Sequence, residues 1–228
     1  MEPRRMSVST GRNPSKGWLR GAKILAFWLS LLPLVDLVWA GAADALGANP
    51  IEKITRDTGW WTLAFLMIGL AVTPARKLSG WSWLGRFRRM LGLFAFFYAC
   101  LHLATYLALD QFFAWTEILA DIVKRPYITV GSAAFVMLVP LAATSTDGMV
   151  RRLGGQRWKR LHRCVYLIAV CGVVHFWWLV KKDLGEPAGF AAILSASLLA
   201  RLDYTPFPKW GLMGPRWASS RGASKEPM

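Results

Sequence analysis

Acidic residues are scarce in this chain. Its 228 positions hold 13 Asp and Glu against 28 Lys and Arg, and charged residues of both signs make up only 18%. Cysteine occurs three times and histidine three times. Cys164 and Cys171 stand seven residues apart in one apolar run, about 10 Å of helical rise, which is too far for a disulfide. With Cys100 they read as small buried hydrophobes. No phosphate-loop, dinucleotide-binding or nucleophile-elbow pattern is present, which removes the commonest enzyme classes that announce themselves in sequence. The shortage of acid leaves a formal net charge of +15, a value that by itself suggests a nucleic-acid partner. The positive charge lies in short clusters between apolar runs, so membrane topology explains it better and no nucleic acid is expected.

What the chain has instead is long apolar runs. Hydrophobic residues make up 54% of it, with 13 tryptophans. A run of about 20 mostly apolar residues is the length that crosses a hydrocarbon core of about 30 Å. Six such spans are expected, at Ile24–Gly41, Thr58–Ala75, Leu91–Leu109, Tyr127–Thr144, Leu161–Val180 and Ala188–Leu202, the last being the shortest. Pro33 and Pro140 fall inside spans, which bilayers tolerate when neighbouring helices satisfy the freed carbonyl. The first run is followed by small residues as a signal peptide would be, but Asp36 interrupts it and five further spans already provide membrane targeting.

Lysine and arginine alternate between rich and poor segments at every crossing. The N-terminal arm, the second loop, the fourth loop and the C-terminal tail carry 22 of them, against 6 in the three intervening loops (Lys53, Arg56, Lys124, Arg125, Lys181, Lys182). The positive-inside rule then places both termini in the cytoplasm. The expected fold class is an all-α, polytopic membrane bundle of about six transmembrane helices. It comprises a basic arm at 1–21, a transmembrane domain at 22–205 and a basic, disordered tail at 206–228. Trp60, Trp61, Trp158, Trp177, Trp178 and Tyr204 lie near span ends, where interfacial aromatics belong.

All three histidines lie in spans or at their edges, and an imidazole at membrane depth is a functional site by default. His102 is 11 residues into the third span, about 16 Å of rise, and His175 is 14 residues into the fifth, about 21 Å. Both spans run in the same direction, so the two rings reach the outer half at similar height. Two imidazoles at one level on facing helices are what axial haem ligation requires. Covalent c-type attachment is excluded, because no C-x-x-C-H occurs. Ala95, Ala99, Cys171 and Gly172 beside them either leave room for a flat macrocycle or simply permit close helix packing. His162 sits about 20 Å below His175 on the same run and points another way. The positions 13 and 14 before His102 are Arg89 and Arg88, so a second bis-histidine site has no fourth histidine. His162 is left as the ligand of a second haem with some other partner, as a contact to a flavin, quinone or propionate, or as an interfacial structural residue. Asp36 could serve protons or a quinone, and Arg86, Arg88, Arg89, Arg160 and Arg163 could pair with propionates or a flavin phosphate.

Several stretches resemble one family closely: Leu31-Leu-Pro-Leu-Val-Asp-Leu-Val-Trp-Ala40, Gly47-Ala-Asn-Pro-Ile51, Arg88-Arg-Met-Leu-Gly92, Leu101-His-Leu-Ala-Thr-Tyr106, Lys124-Arg-Pro-Tyr-Ile-Thr-Val-Gly131, Thr144-Ser-Thr146 and Arg157-Trp-Lys-Arg-Leu-His162, with the His175 segment. The family is that of the haem-binding membrane subunits of the periplasmic methionine sulfoxide reductase system (MsrQ, formerly YedZ), which belongs with ferric-reductase-like transmembrane domains. The resemblance covers roughly residues 22–205. It implies a subunit of the bacterial inner membrane that binds haem b and also FMN. Electrons would come from the quinone pool or a cytoplasmic flavin reductase. They would pass to a periplasmic molybdopterin-dependent methionine sulfoxide reductase that repairs oxidised envelope proteins. His102, His162 and His175 match the family's histidines. The larger ferric reductases carry two histidines on each of two helices, and this chain lacks the fourth.

The expected role is therefore electron transfer, with no catalytic residue in the chain and catalysis in a partner protein. Beyond membrane lipid, the expected partners are that reductase and the donor. A stand-alone ferric or metal reductase of the same fold is the alternative. A transporter is a third, though no inverted repeats or paired broken helices are visible.

Overall fold

The computed structural model describes residues 14–180 and 183–202. Most of the basic arm, Lys181 and Lys182, and the whole tail at 206–228 lie outside the described residues. The described residues form helices joined by short turns, α1 (Lys16–Ala42), α2 (Pro50–Ser79), α3 (Arg88–Thr105), α4 (Trp115–Lys124), α5 (Pro126–Ala143), α6 (Asp147–Leu153), α7 (Gly155–His162), α8 (Cys164–Leu179) and α9 (Gly185–Leu202), and no strand occurs among them. Local chemistry sets several boundaries. Ser15 caps α1 by accepting from the Trp18 amide, and Asn49 caps α2 by accepting from that of Glu52. Pro50 and Pro126 open their helices, where no amide hydrogen is needed. Gly80 closes α2 at φ 72°, a left-handed conformation that costs glycine little.

The chain is an all-α membrane bundle. Five segments are long and apolar enough to cross a membrane: Lys16–Ala42, Pro50–Ser79, Ser82–Asp110, Pro126–Ala143 and Gly155–Leu179. The expected sixth span corresponds to α9, which has 18 residues and carries Glu186 and Arg201 near its two ends. Those charges shorten its apolar stretch, and it is not among the five. Each of the six expected spans nonetheless lies within or largely over one of the helices.

Two helix pairs build the core, α2 with α3 and α5 with α8. Leu63, Phe65, Leu66, Met67 and Leu70 of α2 pack on Phe94, Ala95, Tyr98 and Ala99 of α3. Leu138 and Leu141 of α5 meet Ile168, Ala169 and Val173 of α8, and Phe190 and Leu194 of α9 close the cluster. In lipid this contact is held by close packing and by satisfied polar groups more than by hydrophobic exclusion. α1 lies at the margin, with most of its apolar residues on the outer surface. It is tied to the core by Tyr98, whose hydroxyl donates to the Ser30 carbonyl at 2.9 Å and accepts from the Leu34 amide at 3.2 Å. That hydroxyl is inserted in the helical ladder beside Pro33, where a helix is easiest to open.

Three departures from regular helix bear on the site. α3 continues past Thr105 as a π-helical turn, Tyr106–Asp110. The expected fifth span is interrupted at Arg163, where i to i+3 bonds (Arg163 to Arg160, Tyr166 to Arg163) separate α7 from α8. The expected outer loop at 110–126 contains α4, an amphipathic helix whose Ile118 is buried while Trp115, Leu119 and Val123 are exposed.

Candidate functional site

His102 and His175 come together from the two helix pairs. Their ring centroids are 6.1 Å apart and their planes are nearly perpendicular, at 83°. Each ring is anchored in the same way. His102 Nδ1 lies 2.8 Å from the Thr55 carbonyl of α2, and His175 Nδ1 lies 2.6 Å from the Tyr127 carbonyl at the start of α5. A carbonyl only accepts, so Nδ1 carries the hydrogen in both rings and the Nε2 lone pair is left to bind a metal. An imidazole held through Nδ1 by a backbone carbonyl is the usual outer-shell support of a metal-binding histidine.

Glycine makes both anchors reachable. Gly59 and Gly131 each sit four residues after the accepting carbonyl, one turn along the same helix face. A Cβ at Gly59 would stand 3.0 Å from His102 Nδ1 and Cε1. A Cβ at Gly131 would stand 2.7 Å from His175 Nδ1, closer than real side chains come. Neither glycine figured among the expected site residues. Nothing in the sequence marks them, because Thr55 and Tyr127 are recognised as anchors only once the facing helices are placed. The small residues noted beside the histidines have another job: Ala95 and Ala99 are buried in the core, and a Cβ at Gly172 would press on Leu63 of α2. They permit close helix packing.

His162 does not join the pair. It ends α7, its ring stacks on Trp158 at 3.9 Å between centroids, and its Nδ1 contacts the Trp158 carbonyl of its own helix at 3.1 Å. Its Nε2 is buried without a hydrogen-bond partner, although the Leu141 carbonyl is near the ring. Arg89, one of the two residues standing where a fourth histidine would be, is paired with Asp147. Asp36 is on the exposed face of α1.

A polar chain at the His102–His175 end links the two pairs. Tyr106, one turn after His102, donates to Asp121 of α4 at 3.3 Å. Asp121 pairs with Arg125 at 3.1 Å, and Arg125 reaches the Tyr127 hydroxyl at 3.4 Å. The Tyr127 carbonyl is the anchor of His175, so α4 braces both histidine-bearing pairs. Arg125 lies outside the membrane segments, and its bond to the Tyr127 hydroxyl, with Asp121 beside it, raises its pKa.

Among the described residues no group of three or more His, Cys, Asp or Glu gathers as a bare-metal site. Two histidines suffice only where a macrocycle supplies the other donors. The spacing fits that use: with metal–nitrogen distances of about 2 Å and about 1 Å more to each ring centre, two imidazoles on one metal have centres about 6 Å apart. An apolar cavity of 460 Å³ lies nearby between α1, α2 and α3, lined by Leu34, Thr58, Leu101 and Thr105 among others, but neither histidine lines it.

Residues 58–173 match the family described as ferric reductase like transmembrane component, a stretch that holds His102 and His162 and ends two residues before His175. Curated relatives match nearly the whole chain. One from Rhodospirillum rubrum is 58% identical over 196 residues, covering 85% of this chain and 93% of that protein. One from Herminiimonas arsenicoxydans is 56% identical over 192 residues, covering 83% and 88%. One from Xanthomonas euvesicatoria is 48% identical over 212 residues, covering 90% and 94%. Each is named protein-methionine-sulfoxide reductase heme-binding subunit MsrQ. With this identity over this much of its length, the chain belongs to the MsrQ family of ferric-reductase-like transmembrane proteins.

Proposed function

We propose that the chain is the haem b-carrying electron-transfer subunit of a protein-methionine-sulfoxide reductase system, and that His102 and His175 are the two residues that would hold the haem iron. The observation that carries this reading is the facing pair of rings, each fixed through Nδ1 to a backbone carbonyl of a neighbouring helix with Nε2 left free. Haem bound between two histidines supplies a one-electron carrier whose iron has no open position for oxygen chemistry. The chain's own residues do the rest. The Thr55 and Tyr127 carbonyls hold the tautomer, Gly59 and Gly131 admit the rings, and the packed core around Tyr98 and Ile168 keeps water out.

Direction and partners follow from topology and kinship. With the arginine-rich ends of the bundle in the cytoplasm, the histidine pair lies toward the periplasmic side of a bacterial inner membrane. Electrons enter from the quinone pool or a cytoplasmic flavin reductase, and FMN is a second cofactor by kinship with MsrQ. They leave to a periplasmic molybdopterin-dependent methionine sulfoxide reductase, where catalysis takes place. The exposed aromatics near the histidine pair support a docked acceptor. Phe112 and Phe113 both adopt positive φ (46° and 57°), a conformation unfavourable for aromatic residues, and stand exposed beside Trp115. Side chains held outward at such a cost suit an interface anchor.

The test is a reduced-minus-oxidised absorption spectrum of purified protein, followed by reoxidation of the chemically reduced haem. Oxidised reductase with methionine sulfoxide should accelerate reoxidation. An equal rate with and without the reductase would favour a stand-alone metal reductase, and absence of a low-spin b-type spectrum would remove the haem reading.

A further inference from the structure

A second site stands at the opposite end of the bundle. Pro74, inside α2, has no amide hydrogen, so the Leu70 carbonyl four residues earlier loses its helical partner. Arg201 near the end of α9 takes that carbonyl, donating from Nη2 at 2.7 Å. This structural duty uses a single N–H of five. The Arg201 Nε and Nη1 atoms are buried and have no hydrogen-bond partner, and Thr73 Oγ1, three residues beyond Leu70 on the same face of α2, is buried and unpartnered as well.

The surroundings make this costly. Arg201 lies over the Tyr166 ring, 4.7 Å from its centroid; Arg88, hydrogen-bonded to Tyr166, stands between the charges of Arg201 and Arg76. Among the described residues the ion pairs are Lys53–Asp57, Arg56–Glu186, Arg89–Asp147 and Arg125–Asp121, and none neutralises Arg76, Arg88 or Arg201. A buried guanidinium is tolerated when paired and hydrogen-bonded. Three positive charges, with buried donors left over on Arg201 and Thr73 and no paired carboxylate among the described residues, describe a site suited to an anion. The Nη2 hydrogen that Leu70 does not take forms, with Nε or with Nη1, one edge of the guanidinium, which matches two oxygens of a single anion. A tetrahedral phosphate has oxygens left for Arg88, Arg76 and Thr73, whereas a planar carboxylate has only two.

We propose that Arg201, Arg88, Arg76 and Thr73 bind a phosphate group at the arginine-rich end of the bundle. The source is a phospholipid headgroup, the phosphate of a flavin mononucleotide, or free phosphate, which share this chemistry. The site is independent of the histidine pair: Thr73 is 18 residues along α2 from Thr55, the anchor of His102, which is about 27 Å of rise.

The experiment uses the full chain purified from membranes in detergent and phosphate-free buffer. Bound phosphorus is quantified per chain, and the released molecule is identified by lipid extraction with mass spectrometry and by flavin fluorescence. Exchange with labelled inorganic phosphate reads the third source. Wild-type protein should retain a stoichiometric phosphate, Arg201→Gln and Arg88→Gln should each lose most of it, and the exposed Arg152→Gln should keep it. Gln at 201 can still donate to the Leu70 carbonyl, so folding is separated from anion binding. If neither variant folds, the wild type decides: stripping the phosphate should lower its Tm, and adding back phospholipid, flavin mononucleotide or inorganic phosphate should restore it. The proposal is overturned by a wild type that neither carries nor takes up phosphate, or by Arg201→Gln retaining the wild-type complement. An Arg201-dependent ligand that proves to be the propionates of a second haem, read as a second iron per chain, also overturns it.

Discussion

At the scale of single residues, each proposed ligand position depends on a residue of another helix. His102→Ala and His175→Ala should each remove most haem from the purified protein, because one lost ligand leaves the other unable to hold a six-coordinate iron. His162→Ala should change a smaller part of the spectrum, since that ring is turned to its own helix. A normal low-spin spectrum with full haem content in His102→Ala would break the assignment. Gly131→Ala is the sharper probe. Its Cβ would occupy the space of His175 Nδ1 and push the ring off the Tyr127 carbonyl. Loss of such a support weakens metal binding by about 10- to 100-fold, measurable by haem titration of the apoprotein. Gly59→Ala, with a longer 3.0 Å approach, should cost less. The histidines were legible from their rarity and depth. The glycines were not, because nothing along the chain tells which helix stands opposite which.

At the scale of elements, the outer helix α1 tests how polar groups hold a membrane bundle together. Few of its residues are buried, and its strongest tie is the doubly bonded Tyr98 hydroxyl. Tyr98→Phe removes that hydroxyl and leaves the Ser30 carbonyl and Leu34 amide to close on each other or stay unmet. A stability loss of about 1–3 kcal/mol is expected, read as a lower midpoint of thermal unfolding in detergent. An unchanged midpoint would mean that the ladder beside Pro33 recloses without the hydroxyl. The long apolar runs made the helices legible in sequence to within a few residues at most ends. Their internal breaks were harder to see: the π-helical turn after Thr105 continues an apolar run, and the turn at Arg163 falls where the basic residues of α7 give way to the apolar α8. Likewise α4 was read as loop, since ten residues between two spans are too few for a span and their amphipathic pattern has no visible partner until Ile118 is seen buried.

At the scale of the whole molecule, two expectations concern sidedness and partnership. Reporter fusions after Ala48, Glu117 and Asp183 should report the periplasm, and fusions after Ser79, Gly155 and Ala223 the cytoplasm. Two or more reversed fusions would end the six-span arrangement, and the fusion after Ala223, compared with that after Asp183, bears directly on whether α9 crosses. Trp115→Ala should slow reoxidation of the haem by the partner reductase while leaving the absorption spectrum intact, because the side chain is exposed and makes no contact with either histidine's anchor. An unchanged rate would move the docking surface elsewhere on that face.

Taken along its length, the amino-acid sequence by itself determined the class of this protein, since apolar runs of this length admit few stable forms besides membrane helices, and lysine and arginine alternate between them. It also determined which side chains were candidates for chemistry, because three imidazoles in so apolar a chain are conspicuous. Tertiary structure decided which of those side chains meet. Pairing of α2 with α3 and of α5 with α8 brings His102 to Thr55 and Gly59, and His175 to Tyr127 and Gly131, partners 43 to 48 residues away in the chain. It decided equally that Arg201 should find the carbonyl freed by Pro74, 131 residues from Leu70. The physical reason is the same in each case. Helical periodicity specifies the face on which a residue lies, but which helix covers that face is set by packing between elements distant in sequence, and a carbonyl or a missing Cβ leaves no mark there.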